Sequence, residues 1–264
     1  MSDLAARTRF AGDLARRAGA LARRYFQREI AWTAEAKSRQ DWVSAADRDT
    51  ETYIRSELAR AFPDDAMLGE ESGGATGDRM WVVDPIDGTI NFVHGVRYWC
   101  VSIAWLDHGV RKVGAIYDPS LDELFLAARG LGATCNGTPI NVSGCTALDR
   151  ALLAVGFVHR HDMQTHLDLR RSLLDAGAAI KDMGAGALML AHVAAGRYDA
   201  FLEPHMHPWD AAAGLLLVEE AGGRTLPYPG PDGLVAGGEI TAAAPGLYDM
   251  LRAFVEKTAN AAGK

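Results

Sequence analysis

The chain has 264 residues, 48% of them hydrophobic and 23% charged, and carries a formal net charge of −7. That is enough apolar sequence to bury one large core or two fused subdomains. The acidic balance argues against a general nucleic-acid or anionic-membrane surface, and no apolar run is long enough to span a bilayer.

The N-terminal segment places Leu4, Phe10, Leu14, Ala18, Leu21 and Tyr25 at helical spacing, which predicts a helix near 3–27. Its arginines are interrupted by Asp3 and Asp13, so a packed helix fits better than a transit peptide. A second helix is expected near 47–62, followed by strands ending at Glu70 and Asp84. Strand-rich sequence comes next: 99–105 and 110–117 around the Asp107-His108-Gly109 turn, 123–127, and a hairpin at Asn136-Gly137. The second half alternates: strand 152–156, helix 161–176, strand 179–181, helix 187–195, strand 200–203, helix 209–221, strand 224–226 and helix 245–258. Residues 227–238 read as loop. This order predicts a layered α/β chain, with an α+β subdomain over 1–147 and an α/β subdomain over 148–264. Cys100, Cys135 and Cys145 are odd in number and lack metal-type spacing, which points to a reducing, cytoplasmic setting.

The most informative stretch is Trp81-Val82-Val83-Asp84-Pro85-Ile86-Asp87-Gly88-Thr89. Pro85 keeps Asp84 out of helical geometry, so the apolar strand is expected to stop there with its carboxylate at the tip. If Gly88-Thr89 opens a helical turn, the unpaired N–H groups of that turn face whatever Asp84 and Asp87 hold, and a phosphate bridged to divalent cations fits. The bland alternative is an Asx-type turn after a buried strand. Upstream, Glu70-Glu71 ends another apolar run; adjacent like charges there suit a hard cation, although such pairs are commonly solvated loop. Asp210 opens an apolar helix and could be an ordinary N-cap. Asp47 could likewise cap the helix it begins, but Ser44 and Asp49 offer alternative caps, which leaves Asp47 available for chemistry.

Glu70-Glu71, the Asp84–Thr89 run and Trp209-Asp210 ahead of an Ala/Gly-rich helix together resemble the inositol monophosphatase family of Mg²⁺-dependent, lithium-sensitive phosphatases. Lys37, Asp41, Val43, Ser44, Asp47 and Glu51 match its upstream pattern, and 194–200 match its late helix-to-strand turn, so the resemblance covers nearly the whole chain. It implies the alternating layered α/β/α/β sandwich of the inositol monophosphatase and fructose-1,6-bisphosphatase type, with two or three Mg²⁺ ions in a cleft between the halves. Glu70, Asp84 and the Ile86 carbonyl would hold one ion, and Asp84, Asp87 and Asp210 a second. Thr89 and Asp47, with Glu70 nearby, would orient and deprotonate the attacking water. The Gly88 and Thr89 amides would bind phosphate oxygens, and Lys37 would sit near the site or simply face solvent.

Substrate recognition is implied for Glu203, as acceptor of a polyol hydroxyl, for Asp87, and for the backbone around Gly186. Gly186 and Ala185 replace commoner, larger residues, which predicts a roomier pocket. His205 and His207 are expected to contact solvent or substrate rather than a metal. The expected activity is hydrolysis of inositol monophosphates. Histidinol phosphate, fructose 1,6-bisphosphate and 3′-phosphoadenosine 5′-phosphate are alternative substrates, and a non-catalytic regulatory, protein-binding member is the alternative of another class. The expected partner is a small phosphorylated metabolite, with no general nucleic-acid or membrane binding, in a homodimer of the family's kind.

Overall fold

The computed structural model describes residues 3–38, 41–157, 162–228 and 233–262. The first half runs α1 (Asp3–Phe26), β1 (Ala34–Ser38), β2 (Asp41–Ser44), α2 (Ala45–Ala61), β3 (Ala66–Gly69), β4 (Gly73–Gly74), β5 (Arg79–Asp87), α3 (Thr89–Val93), β6 (Cys100–Asp107), β7 (Val110–Asp118), β8 (Glu123–Ala128), β9 (Ala133–Cys135) and β10 (Thr138–Pro139). After a 3₁₀ turn at Leu148–Arg150 come β11 (Leu152–Val155), α4 (Met163–Asp175), β12 (Ala179–Lys181), α5 (Gly186–Ala194), β13 (Ala200–Met206), α6 (Pro208–Glu220), β14 (Arg224–Thr225), α7 (Gly233–Ala236), β15 (Gly238–Ala243) and α8 (Pro245–Ala262).

Strands β3 to β10 form an eight-stranded sheet in the order β10-β9-β8-β7-β6-β5-β3-β4, and β11 to β15 a five-stranded sheet in the order β12-β11-β13-β15-β14. Helix α1 lays Ala11, Leu14, Ala15 and Ala18 against the outer face of the large sheet, where α2 joins it through Ile54 and Leu58. Helices α5 and α6 fill the space between the two sheets. Their sequences explain that position: 187–194 and 211–218 are buried on every side, and a helix that is apolar all round must be covered all round. A Cβ at Gly214 would come within 2.5 Å of the Leu190 Cβ, and one at Gly114 on β7 within 2.6 Å of the Ala213 carbonyl oxygen. Only glycine lets α6 press so closely on α5 and on the sheet. Helices α4 and α8 close the small sheet from outside through Leu173, Leu247 and Leu251. The α/β/α/β sandwich is therefore present, capped by this last helical pair.

Three local expectations are corrected, and two elements are new. The β5 strand does not stop at Asp84: pairing with β6 runs from Arg79↔Asp107 to Asp84↔Ser102, slips, and resumes at Asp87↔Cys100. Pro85, lacking an N–H, sits in the slip, where a ladder donor is not required. The hairpin of β1 and β2 and the strand β15 were not anticipated. Strand β13 extends beyond residue 203 to Met206 because β15 pairs along it. Part of the 227–238 stretch is the short helix α7. No helix among the described residues is long and apolar enough to cross a membrane, and none of the three cysteines is in a disulfide.

Candidate active site

Three chain segments converge at one edge of the seam between the halves. Strand β3 runs parallel to β5 with Gly69 opposite Val83, and the Glu70 N–H donates to the Val83 carbonyl at 3.2 Å, which carries Glu70 alongside Asp84. Helix α6 begins at Pro208, and its third residue, Asp210, accepts from the His207 N–H at 3.3 Å while reaching the same point. Asp210 thus serves the helix start, as the bland reading had it, and also joins the cluster. Carboxylate oxygens of Glu70, Asp84 and Asp210 lie within 4.8 Å of one another. Asp84 is buried, and one of its oxygens accepts from the Ile86 N–H at 2.8 Å. Burial, then the charges of Glu70, Asp210 and Asp87, push its carboxyl well above the usual range. Three carboxylates this close, with Asp84 desolvated, suit a hard divalent cation.

Asp87 is placed differently. Its two oxygens accept the Gly186 and Leu188 N–H groups at 3.1 and 3.2 Å, and the Cys100 thiol lies 3.5 Å away. The start of α5 thus orients Asp87 beside the three-carboxylate cluster rather than within it. Burial raises its carboxyl to about 6, against the lowering effect of those amides and the thiol.

Gly88 has φ +93°, and a Cβ there would meet Ala185 at 3.0 Å and the Tyr98 carbonyl at 3.1 Å, so glycine is required where β5 turns into α3. The expected helical turn at Thr89 is present. Thr89 Oγ1 lies 3.1 Å from the Ile86 carbonyl oxygen and 3.3 Å from Asp47 Oδ1, and can donate to either. The Ile86 carbonyl is therefore within reach of the Thr89 proton. Asp47 accepts from the Ser44 N–H at 2.8 Å and from the Ser44 hydroxyl, so it does bind at the helix start that Ser44 and Asp49 were expected to serve. Its other oxygen still faces Thr89. Burial raises the Asp47 carboxyl to about 6, with Ser44 opposing the shift and the charge of Glu71 adding to it.

These groups border a cavity of 280 Å³ shared by the two halves. Among the described residues, Glu70, Asp84, Asp87, Asp182, Glu203 and Asp210 line it, and no Lys, Arg or His does. Gly88, Thr89 and Gly186 are also on its wall, whereas Asp47 stands behind Thr89. Glu203 faces Gly156, where a Cβ would lie 2.3 Å from its Oε2. Burial, followed by the charges of Asp210, Asp182 and Asp87, holds its carboxyl well above the usual range. The space opened by Gly186 is not empty: Met206 Cε lies 2.6 Å from where a Cβ would stand, so the roomier pocket is not found. His205 and His207 are absent from the described lining; His207 stacks on Trp209 at 4.7 Å, and His205 Nε2 lies 2.7 Å from the Ala236 carbonyl. The Lys37 side chain lies outside the described residues. Asp182, Gly156 and Met206 were missed. Asp182 had one usable signal, an acid directly after strand β12 and two residues before the Gly184 turn.

A layered α/β sandwich with a three-carboxylate cluster, Asp84 buried and Glu70 and Asp210 half-buried, and a hydroxyl–carboxylate pair at the seam between its halves is an arrangement that suits a hydrolase able to hold a metal. The family model described as the inositol monophosphatase family matches residues 3–260, and the chain belongs to that family, which is of phosphatase type. A curated relative, Nus factor SuhB of Pseudomonas aeruginosa, is 42% identical over 237 residues, covering 86% of this chain and 88% of that one. The crystal structure of the extragenic suppressor protein suhB from Bartonella henselae superimposes with a TM-score of 0.87 at 36% identity, covering 93% and 96% of the two chains. The Thermotoga maritima IMPase gives 0.86 at 32% identity, covering 96% and 98%. One expectation is overturned here. A partner list confined to a small phosphorylated metabolite does not stand beside a relative of this similarity that is named a Nus factor.

Proposed function

We propose that the chain is a Mg²⁺-dependent phosphomonoesterase that hydrolyses inositol monophosphates to inositol and phosphate. The observation that carries this reading is the approach of Glu70, Asp84 and Asp210 to within 4.8 Å beside the Thr89–Asp47 pair. Glu70, Asp84, Asp210 and the Ile86 carbonyl are the groups that would hold the ions, with Asp87 completing the set from its place at the start of α5. Bound there, Mg²⁺ supplies a water of lowered pKa and neutralises charge on the phosphate and the leaving oxygen. The chain's own part is proton handling and orientation. Asp47 takes the Thr89 proton, which frees the Thr89 oxygen to accept one from the attacking water, a contribution on the order of 10²–10⁴-fold. The Gly88 and Thr89 amides, at a helix start without intrahelical acceptors, hold phosphate oxygens. Glu203 accepts a hydroxyl of the leaving polyol, and burial makes that acceptor selective, because a ligand lacking the hydroxyl leaves it unpaired. A cytoplasmic location and lithium sensitivity belong to the same reading.

Phosphate release from inositol 1-phosphate, histidinol phosphate, fructose 1,6-bisphosphate and 3′-phosphoadenosine 5′-phosphate, each with Mg²⁺ and with EDTA, tests it. Mg²⁺-dependent preference for the first is expected, and preference for another ester keeps the chemistry and removes the role given to Glu203. A second reading, a regulatory role carried with or without catalysis, is favoured by the name Nus factor SuhB borne by the relative above. Turnover of none of the four esters by protein that binds Mg²⁺ would decide for it.

A further inference from the structure

Glu51 is a buried carboxylate that the chemistry above does not use. It stands on the second turn of α2, 2% exposed, directly beneath the turn that follows β3. A Cβ at Gly69 would lie 2.5 Å from its carboxyl carbon, so position 69 has no room for a side chain while Glu51 is in place. Beyond Gly69 the chain turns through Glu70, Glu71 and Ser72. Glu51 Oε2 accepts the Glu71 N–H at 2.8 Å, Oε1 accepts the Ser72 N–H at 3.2 Å, and the Ser72 hydroxyl also donates to Oε1. Arg55, one helical turn on, lies 3.1 Å from Oε1 and donates to Ser72 Oγ at 2.7 Å and to the Gly73 carbonyl at 3.0 Å. On its other side, Glu70 is tied to β5 through its own N–H. The cluster member Glu70 therefore sits between two fixed points, one supplied by the sheet and one by Glu51.

We infer that Glu51 is a positioning residue for the metal site, its carboxylate holding the 70–72 turn so that Glu70 is delivered to Asp84 and Asp210. The inference rests on the reading of that cluster as a metal site. Three carboxylates repel one another before a cation arrives, and a turn able to relax would carry Glu70 outward. Two amides, a hydroxyl and a guanidinium present four donors to the two Glu51 oxygens, which suits a group that accepts at both. A carboxamide would turn an NH₂ toward donors. Groups that orient metal ligands in this way act on metal affinity or activity, and Glu51, held away from the reacting atoms by the turn it supports, is expected to act on affinity.

The test is calorimetric titration of Mn²⁺ into wild type, Glu51→Gln, Ser72→Ala and Asp84→Asn, with an unfolding midpoint measured in EDTA for each. Glu51→Gln should weaken Mn²⁺ binding about tenfold or more, and Ser72→Ala should weaken it in the same direction by less. In both, the Mg²⁺ activation curve should move to higher concentration while kcat at saturating Mg²⁺ stays within about twofold. A Glu51→Gln protein that binds Mn²⁺ like wild type, whatever its midpoint, overturns the inference, as does a normal affinity with a lowered kcat. If Glu51→Gln does not fold, Ser72→Ala decides, and an unchanged affinity there overturns it. Asp84→Asn separates the two levels: retained Mn²⁺ affinity in that variant removes the metal-site reading and this inference with it. Loss of affinity in Asp84→Asn alone removes only the role of Glu51.

Discussion

Asp47 and Thr89 lie 42 positions apart in sequence and meet because α2 begins where β5 turns into α3. The Asp47 carboxyl is raised to about 6, chiefly by burial, and it is outside the three-carboxylate cluster. Its working form is ionised. Activity should therefore fall as pH drops through about 6, and Asp47→Asn, slower by on the order of 10²–10⁴-fold, should lose that acid limb. A kcat/KM profile recorded for both proteins checks this. Asp84 makes a contrasting case, since desolvation and three neighbouring acids oppose its charge. Asp84→Asn should abolish turnover yet raise the unfolding midpoint in EDTA, by about 2–4 °C for each kcal/mol of repulsion relieved. A midpoint lower than wild type in EDTA would contradict the repulsion argument. At this scale much was legible, because Asp84, Asp87, Gly88 and Thr89 fall within six positions and their chemistry shows in one short run. Gly156 and Met206 were not legible, since what matters about them is which side chain they face across the cavity, Glu203 in one case and Gly186 in the other.

At the scale of elements, β11 ends at Val155 with Gly156 just beyond it, and β13 carries Glu203 alongside. Gly156→Ala should displace the Glu203 carboxylate, raising KM for inositol 1-phosphate about tenfold with little change in kcat on a small ester lacking ring hydroxyls. Parallel kinetics on the two esters decide it, and equal losses on both would reassign Glu203 to a general role. Helix α5 brings a different dependence. His192, in its last turn, sits among the Tyr98, Phe125 and Tyr198 rings, and burial followed by the charge of Arg197 lowers it to about 4. A histidine whose folded pKa is depressed favours the folded state above its unfolded value near 6.5, and that contribution is lost as pH falls from there toward 4. The loss amounts to about 3 kcal/mol. His192→Phe should flatten the stability curve in that window, as denaturant titrations at several pH values would reveal. Element boundaries followed periodicity well for α1, α4 and α6. Strand β15 escaped because the alternation begun by Glu239, Ile240 and Thr241 breaks down at Ala242-Ala243. It becomes a strand through pairing with β13 and β14, a tertiary fact. The slip at Pro85 escaped for a related reason, since a proline ends an isolated strand but is tolerated in one anchored on both sides by β6.

Across the whole molecule, the middle layer of helices determines how the halves meet. Helix α6 lies so close on β7 that a Cβ at Gly114 would press on the Ala213 backbone, five residues from the start of the helix that carries Asp210. Gly114→Ala should cost about 1–3 kcal/mol by overpacking and also weaken metal binding, because relief by lifting α6 would shift the helix that carries Asp210. Stability lost with metal affinity intact would mean that the sheet yields instead. That α5 and α6 are interior could be read from their continuous apolarity, but which sheet each half lends them could not, since both sheets offer apolar faces. The tie between Asp87 and the opening amides of α5 has a consequence in time as well as space. A chain emerging from its N-terminus presents Glu70, Asp84 and Asp87 well before Gly186 and Leu188 exist to orient Asp87, and before Asp210 can complete the cluster. A nascent chain that stops short of residue 210 thus lacks one of the three carboxylates proposed to hold the cation. On the proposed metal-site reading, capture of the ion would report that synthesis has passed residue 210 and that the second half has docked.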